Sequence, residues 1–124
     1  MKISRPSVKQ FLEEVHKMYE LHVYTMGSKE YAWAIARALD PDGHLFGDRV
    51  LDRQSNESIF LEMTCRMTIL LGMVEKNIER LFPMDTSMVV ALDDRARVWK
   101  YSENLLKVVP CTFIASLCVS LCLM

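Results

Sequence analysis

The sequence is poor in cysteine, and its four cysteines do not indicate a structural site. Cys65 stands alone, and the other three lie in the last fourteen residues, at positions 111, 118 and 122. No Cys-x-x-Cys pair occurs, and no histidine lies near the three C-terminal cysteines, so neither a zinc site nor a disulfide framework is indicated. We therefore expect a protein of a reducing, intracellular environment.

The chain also lacks an excess of charge of either sign and an apolar stretch near its first residue. Fifteen basic and sixteen acidic residues leave a formal net charge of -1, which excludes a general attraction to nucleic acid. The basic residues near Met1 are not followed by the long apolar region of a secretory signal. With 124 residues, of which 51% are hydrophobic, the chain is long enough for one domain with a sizeable core.

Long uncharged runs are absent except at residues 108–124, which carry no charge. As a helix this segment would extend about 25 Å at roughly 1.5 Å per residue. A membrane span needs about 20 apolar residues, or about 30 Å, so the segment is too short. Pro110 and several hydroxyl-bearing residues interrupt the run. We expect the segment to pack on the domain as a strand or a helix, and a membrane tail anchor is the less favoured alternative.

Three segments have the periodicity of helices. Apolar residues at helical spacing predict a first helix at about 6–19, and the alanine-rich segment Lys29–Leu39 predicts a second. The same spacing favours a long third helix over 55–82. The candidate N-terminal caps are Ser4 or Ser7 for the first helix and Ser28 for the second.

Short runs of β-prone residues alternate with these helices. They predict strands at about 21–25, 47–51, 87–92 and 105–109. Strands that alternate with helices indicate an α/β fold with a parallel sheet.

The apolar run from Ser87 to Leu92 ends on two adjacent carboxylates, Asp93 and Asp94. Such a run suits a parallel strand that is buried on both faces, and ligands of open α/β sheets gather at the carboxyl ends of these strands. Paired aspartates at that position are hard oxygen ligands suited to Mg²⁺. A strand that ends in a solvated Asp-Asp turn is the alternative that the motif alone leaves open.

Several motifs, in this order, resemble those of the haloacid dehalogenase superfamily. A strand ends in Thr25 before Gly27, a lone basic residue, Lys76, lies on a predicted helix, and the Asp93-Asp94 pair ends a later strand. Within this superfamily the sequence is most similar to the phosphatases that act on the C-terminal domain of RNA polymerase II. The similar segments are Arg5-Pro6, Tyr19–Ser28, Leu39–Gly43, Leu45–Arg49, Arg80–Pro83, Asp93–Arg95 and Val98-Trp99.

The resemblance implies an α/β fold with a parallel, Rossmann-like sheet of the haloacid dehalogenase type. It covers residues 4–54 and 75–110, so we predict a partial phosphatase domain over 4–110, with an atypical segment at 55–74 and an apolar tail of unclear role at 111–124. It also implies a Mg²⁺-dependent protein-serine/threonine phosphatase of transcription in the nucleus. The implied partner is the phosphorylated C-terminal domain of RNA polymerase II, without direct binding of nucleic acid.

The resemblance further implies roles for individual residues. Thr25 matches a phosphate-binding hydroxyl, and Lys76 matches the basic residue that neutralises charge on the transferred phosphoryl group. These two are the predicted catalytic residues. Asp93 and Asp94 match the pair that holds Mg²⁺ directly or through water. The predicted substrate-binding residues are Arg5, Thr25, Tyr19 and Asp40. For three of them a structural explanation is also open: Arg5 as a solvated arginine, Tyr19 as a tyrosine at a helix end and Asp40 as an aspartate in a turn.

The sequence departs from the family at the nucleophile. The expected motif, Asp-x-Asp-x-Thr or Asp-x-Asp-x-Val after an apolar strand, should precede Arg5, and only four residues do. Asp40-Pro41-Asp42 follows a helix and has His44 where a small or branched residue is expected, so it is a decoy. We expect the chain alone to be inactive, because losing a nucleophile lowers turnover on the order of a millionfold. A non-catalytic phosphopeptide-binding or protein-interaction module is the alternative.

The missing motif also affects the expected fold. In this superfamily the first strand lies at the centre of the sheet, between the strand that ends at Thr25 and the one that ends at Asp93. Without it, we expect these two strands either to pair directly or to present unpaired backbone groups, at roughly 1–3 kcal/mol per group. The chain is thus expected to be a truncated phosphatase of marginal stability.

Overall fold

A computed structural model describes residues 7–52, 75–109 and 120–123. The alternating helices and strands confirm the predicted α/β fold. None of the helices in these ranges is long and apolar enough to cross a membrane. The elements are, in chain order, α1 (Val8–His16), β1 (Leu21–Tyr24), α2 (Lys29–Leu39), β2 (Val50–Leu51), α3 (Ile78–Leu81), β3 (Val90–Asp93), a 3₁₀ helix (Ala96–Trp99), β4 (Leu105–Lys107) and β5 (Ser120–Leu123).

The strands form one five-stranded sheet in the order β2-β1-β5-β3-β4. β1 pairs in parallel with β2, and β3 pairs in parallel with β4. β5 lies between β1 and β3 and is antiparallel to both. β1 and β3 therefore run in the same direction, and the sheet consists of two parallel pairs joined by one antiparallel strand.

The strand β5 corrects our expectation of a gap in the sheet. β1 and β3 are neither paired with each other nor left without partners, because Leu121 is the register partner of Val23 on one side and of Leu92 on the other. An uncharged segment can occupy the middle of a sheet without the large cost of burying ionised side chains. Residues 120–123 of the apolar tail thus supply the strand between β1 and β3, and marginal stability stays a prediction.

Local signals explain where the first two helices begin. The side chain of Ser28 accepts a hydrogen bond from the amide of Tyr31, as predicted for the cap of α2. Ser7 is at the N-cap of α1, but its φ is 63° and its side chain makes no capping hydrogen bond, so the predicted cap is wrong there. Ser4 lies outside the described residues. α1 is held instead by burial of Leu12, which is 0% exposed.

The third predicted helix, over 55–82, can be compared with the structure only from residue 75 onward. Residues 55–74 lie outside the described ranges, and α3 begins only at Ile78, because Asn77 has extended backbone and caps α3 through its side chain. The amide of Lys76 donates to the carbonyl oxygen of Val98 at 2.7 Å. Within the described part of the prediction, residues 78–81 are helical, whereas residues 75–77 are not and are tied to the 3₁₀ helix instead.

Two apolar clusters support the sheet. One packs α1 and α2 against β1 and β2, and the other joins β1 and β3 to α3 and the 3₁₀ helix. The second cluster contains the aromatic side chains that surround the candidate site. The buried members of the first are Leu12, Leu21, Val23, Ala32, Ala36, Leu45, Phe46 and Val50, and those of the second are Tyr24, Ile78, Val89, Ala91 and Trp99.

His22 on β1 is expected to make the stability depend on pH. Burial lowers the pKa of His22 below its usual value of 6.5, against the opposing effect of the Glu20 carboxylate, 2.9 Å from Nε2. Because the pKa is lower in the folded state than in the unfolded state, the stabilising contribution is complete above pH 6.5 and is lost as the pH falls through the folded-state pKa. We therefore expect the free energy of unfolding, measured with urea above pH 6.5 and again below the folded-state pKa, to fall less for His22→Gln than for the native chain. Equal losses in both proteins would contradict this assignment.

Candidate functional site

β1 and β3 end at the same edge of the sheet, at Tyr24 and Asp93, and we call this the carboxyl edge. Leu121 of β5 is the register partner of Val23 on β1 and of Leu92 on β3. Each of these two partners directly precedes the end of its strand. Thr25 and Asp94 therefore leave the sheet at the same level. Because neighbouring strands lie about 4.8 Å apart, the two strand ends are separated by roughly 10 Å, within reach of a single bound ligand.

A fully buried lysine joins the two strand ends. The ammonium group of Lys76 donates to Oδ2 of Asp93 at 3.0 Å and to the carbonyl oxygen of Tyr24 at 3.5 Å, and its side chain is 0% exposed. The rings of Tyr24 and Trp99 each have their centroid 5.4 Å from Nζ, within cation–π range. A buried ammonium group is stable only with such partners, so this positive charge has a defined place at the carboxyl edge.

Asp93 is engaged on both carboxylate oxygens. Oδ2 accepts hydrogen bonds from Lys76 and from Nε1 of Trp99 at 2.7 Å, and Oδ1 accepts one from the amide of Arg95 at 3.0 Å. The side chain is 2% exposed. These contacts fix the ammonium group and the end of β3, and the predicted role of Asp93 in holding Mg²⁺, directly or through water, stays a prediction.

Thr25 is held in a tight turn between β1 and α2. Its amide donates to the carbonyl oxygen of Leu51 at 2.9 Å, and its Oγ1 accepts from the amide of Gly27 at 3.1 Å, which leaves the hydroxyl hydrogen to be donated elsewhere. A Cβ at Gly27 would lie 2.5 Å from the ring of Tyr31, so this turn needs glycine. The turn places the Thr25 hydroxyl beside the first turn of α2, where backbone amides favour anions.

Asp52 is an acidic residue at this edge that the sequence motifs did not single out. It follows β2, in which Leu51 is the register partner of Tyr24, and it is 3% exposed. Asp52 therefore lies beside Thr25. The pattern of a predicted strand followed by an acidic residue could have identified it, as it identified Asp93.

The other predicted substrate-binding residues do not reach the carboxyl edge in the described part of the chain. Tyr19 precedes β1 and so lies toward the opposite edge. Asp40 follows α2, a helix about 16 Å long that begins at the carboxyl edge. Its Oδ2 accepts from the amides of Leu45 and Phe46 at 2.9 and 3.0 Å, so Asp40 closes its own loop. These two residues lie away from the carboxyl edge, so their substrate-binding role stays a prediction, and Arg5 lies outside the described residues.

Asp94 is a residue of the carboxyl edge that could hold a Mg²⁺ ion. Among the residues with described positions, no group of three or more histidine, cysteine, aspartate or glutamate side chains is arranged to hold a metal. Mg²⁺ commonly takes one or two protein carboxylates and completes its shell with water and phosphate oxygens. The partly exposed Asp94, next to the Lys76–Asp93 pair, fits an ion that is shared with a bound phosphate.

The sequence is similar to a family of phosphatases and to several of its named members. Residues 2–114 match the model of the family described as NLI interacting factor-like phosphatase. An RNA polymerase II C-terminal domain phosphatase of Schizosaccharomyces pombe is 45% identical over 113 residues, which are 91% of this chain and 14% of that protein. The Homo sapiens protein of the same name is 42% identical over 104 residues, 84% of this chain and 10% of that protein. The chain thus spans about a seventh or less of the length of these two relatives.

Solved structures of related phosphatases have the same fold. The structure of Fcp1, described as an essential RNA polymerase II CTD phosphatase, matches with a TM-score of 0.74 and 45% identity, over 92% of this chain and 28% of that chain. A fission yeast Fcp1 variant bound to beryllium fluoride matches with a TM-score of 0.74 and 44% identity, over 91% of this chain and 27% of that chain. This likeness confirms a fold of the haloacid dehalogenase type. The chain belongs to the NLI interacting factor-like phosphatase family.

Proposed function

We propose that the carboxyl edge binds the phosphoryl group of a phosphoserine peptide, as part of a Mg²⁺-dependent protein-serine/threonine phosphatase domain. The observation that carries this proposal is the buried ammonium group of Lys76, which joins the ends of β1 and β3 where Thr25 and Asp94 emerge. A fixed positive charge in a water-excluded setting attracts a phosphate dianion more strongly than a solvated lysine does.

Each residue of the edge makes a distinct contribution in this proposal. The Thr25 hydroxyl and the amides that open α2 donate to phosphate oxygens. Lys76 neutralises the negative charge that grows on the phosphoryl group during transfer, and Asp93 holds Lys76 in place. Asp94 holds Mg²⁺, which supplies Lewis-acid stabilisation of the phosphate when it is bound.

The proposed substrate is the phosphorylated C-terminal domain of RNA polymerase II, and the proposed location is the nucleus. Five relatives that are 38–45% identical to this chain are named as phosphatases of that C-terminal domain. These names support the substrate class. A phosphoserine peptide from the polymerase tail should therefore bind more tightly than an unrelated phosphoserine peptide of equal charge, and equal binding would contradict the substrate assignment.

This chain alone is proposed to bind phosphate without hydrolysing a phosphate ester. Its one Asp-x-Asp sequence, Asp40-Pro41-Asp42, follows α2 and so lies away from the carboxyl edge. β5, which occupies the place between β1 and β3, contains no acidic residue. This placement favours a second candidate function, a non-catalytic phosphopeptide-binding module.

Replacing Thr25 by valine is expected to weaken the binding of a phosphoserine peptide about tenfold or more, because a hydrogen bond to a charged group contributes about 1.5–3 kcal/mol. Isothermal titration calorimetry with Mg²⁺ present measures this change. The matched control is Thr25→Ser, which keeps the hydroxyl group and should bind nearly as well as the native chain. Equal affinities for the valine and serine variants would contradict phosphate binding by the Thr25 hydroxyl.

Turnover of an aryl phosphate at saturating Mg²⁺ separates the two candidate functions. We expect no turnover above that of the Asp94→Asn variant, together with measurable phosphopeptide binding by the native chain. Turnover that Asp94→Asn abolishes would show instead that this chain is a competent phosphatase by itself.

A further inference from the structure

A pocket of about 220 Å³ lies toward the C-terminal end of α2. Its lining includes Trp33 and Arg37 of the helix and several residues of the loop 40–47 that follows. α2 begins at the carboxyl edge and is about 16 Å long, so its C-terminal end is remote from that edge. We call this cavity the α2 pocket, and it is separate from the place where we propose that phosphate binds.

Asp40 brings a buried polar atom without a hydrogen bond to the lining of the α2 pocket. Its side chain is 2% exposed, and its Oδ2 accepts from the amides of Leu45 and Phe46. Its Oδ1 is buried and accepts no hydrogen bond from the described residues. Nδ1 of His44 lies 3.4 Å from Oδ1 without forming one, and the His44 side chain is 51% exposed. Because a buried carboxylate oxygen without a donor is unfavourable, a donor supplied by a ligand in the pocket would satisfy it.

The charges around the α2 pocket favour a positively charged ligand. Asp40 is the C-cap of α2, and the C-terminal end of a helix carries a partial negative charge. Asp42 adds a second carboxylate to the lining, whereas Arg37 is its one basic residue. Arg37 is exposed, and a long side chain of this kind can keep its charge in water. The cation that the pocket favours therefore has two acidic side chains and a helix end to meet.

The shape and the aromatic walls of the α2 pocket narrow the choice of cation. Trp33 and Phe46 both line it. A guanidinium group is planar, stacks on aromatic rings and is more weakly hydrated than an ammonium group, so it loses less on entering such a pocket. The volume is below the roughly 300–1,000 Å³ of pockets for drug-sized ligands, which suits a group the size of one side chain. The exposed Asp42 and Gly43 at its lining leave room for the stem of that group to continue into solvent.

We propose that the α2 pocket binds a guanidinium group carried on an apolar stem, as in an arginine side chain. Oδ1 of Asp40 accepts a hydrogen bond from the guanidinium group, and the aromatic walls pack on its plane and on the stem. This site goes beyond the proposed phosphatase function and does not depend on it.

A titration of the native chain, followed by the NMR signals of its amide and indole groups, tests the proposal with two ligands. N-acetyl-arginine methylamide carries the guanidinium group, and the corresponding citrulline compound has the same shape but a neutral urea group. We expect the arginine compound to bind at least about tenfold more tightly, because a hydrogen bond between two charged groups is stronger than one with a neutral donor. The signals of Trp33, Gly43 and Gly47 should shift. Equal affinities for the two compounds, or shifts confined to the carboxyl edge, would overturn the proposal.

Two variants of the loop place the interaction at Asp40. Asp40→Asn keeps an oxygen for the amides of Leu45 and Phe46 but removes the negative charge, so affinity for the arginine compound should fall at least about tenfold. The matched control is Asp48→Asn, which removes an exposed charge from the same region outside the pocket lining and should bind as the native chain does. Equal losses for both variants would contradict a specific site. The comparison of the two ligands needs no variant, so a folding defect of Asp40→Asn would leave that test intact.

Two further titrations identify the source of the guanidinium group and separate this site from the carboxyl edge. Tighter binding of N-acetyl-arginine methylamide than of butylguanidine would support an arginine of a polypeptide, and the reverse would support a small guanidinium compound. A phosphoserine peptide without arginine should not displace either ligand. Displacement would contradict a separate site, whereas a failure of that peptide to bind at all would count against the proposed phosphatase function alone.

Discussion

Replacing Lys76 by methionine is expected to lower the free energy of unfolding by about 3–5 kcal/mol, because it leaves the Asp93 carboxylate buried without its counter-charge. The two side chains are 0% and 2% exposed, and their charged atoms are 3.0 Å apart. Methionine fills much of the same volume, so the loss would arise mainly from the unpaired charge and not from a cavity. Urea denaturation followed by tryptophan fluorescence measures the change.

Two further variants test this explanation for Lys76. The double variant Lys76→Met with Asp93→Asn should recover much of the loss, because asparagine is neutral and can still accept a hydrogen bond from Trp99. Lys100→Met serves as the matched surface control. Lys100 also forms an ion pair, with its Nζ 2.8 Å from Oε2 of Glu75, but its side chain is 70% exposed. Lys100→Met should therefore lower the free energy of unfolding by only about 0–1 kcal/mol. Similar losses for the two single lysine variants would contradict the buried-pair explanation.

Replacing Leu121 by proline is expected to destabilise the chain by at least about 3 kcal/mol, because proline cannot donate its amide and fits poorly in a strand that is paired on both sides. Leu121 has Val23 and Leu92 as register partners, so a disturbed backbone at this position affects both halves of the sheet. A loss of this size is a large fraction of the roughly 5–15 kcal/mol that stabilise a typical domain. Thermal unfolding followed by circular dichroism measures it.

The control for this experiment is Leu121→Ala, which shortens the side chain but keeps the backbone amide. The proline variant should be the less stable of the two by about 1–3 kcal/mol, the cost of a buried backbone group without its partner. If alanine and proline lowered the melting temperature equally, the stabilising contribution of position 121 would not lie in the sheet hydrogen bonds. The pairing of β5 with β1 and β3 would then be contradicted.

Local patterns in the sequence predicted the elements that depend on neighbouring residues. The alanine-rich segment Lys29–Leu39 forms α2 with the predicted bounds, because helix propensity and the Ser28 cap act within a few residues. The apolar run before Asp93 forms a strand that ends at that residue, as a run buried in a sheet should. The resemblance of the motifs to a known family placed Thr25 and Asp93 at one edge, and the register of the sheet brings their strands to the same level.

Contacts between residues that are far apart in the sequence could not be predicted from local patterns. Helical spacing placed Lys76 inside a long helix, whereas its backbone bond to Val98 and its buried pair with Asp93 hold it at the end of the sheet. Asp40 was expected to support substrate binding, yet its carboxylate bonds to the amides of Leu45 and Phe46 in its own loop. Both outcomes depend on which partner is nearest in space, and periodicity contains no such information.

The resemblance to a known family supplied the candidate residues for binding phosphate and Mg²⁺. The order of the amino acids itself was enough to predict the α/β class and the places of most strands and helices. These follow from propensity, capping and apolar spacing, which act over a few residues. Three features emerged from the folded arrangement alone: Asp93 holds Lys76, Asp52 lies beside Thr25, and residues 120–123 complete the sheet. Unpaired backbone edges and buried charges must find partners wherever the fold provides them, even from a segment whose sequence does not specify which strands it will pair with.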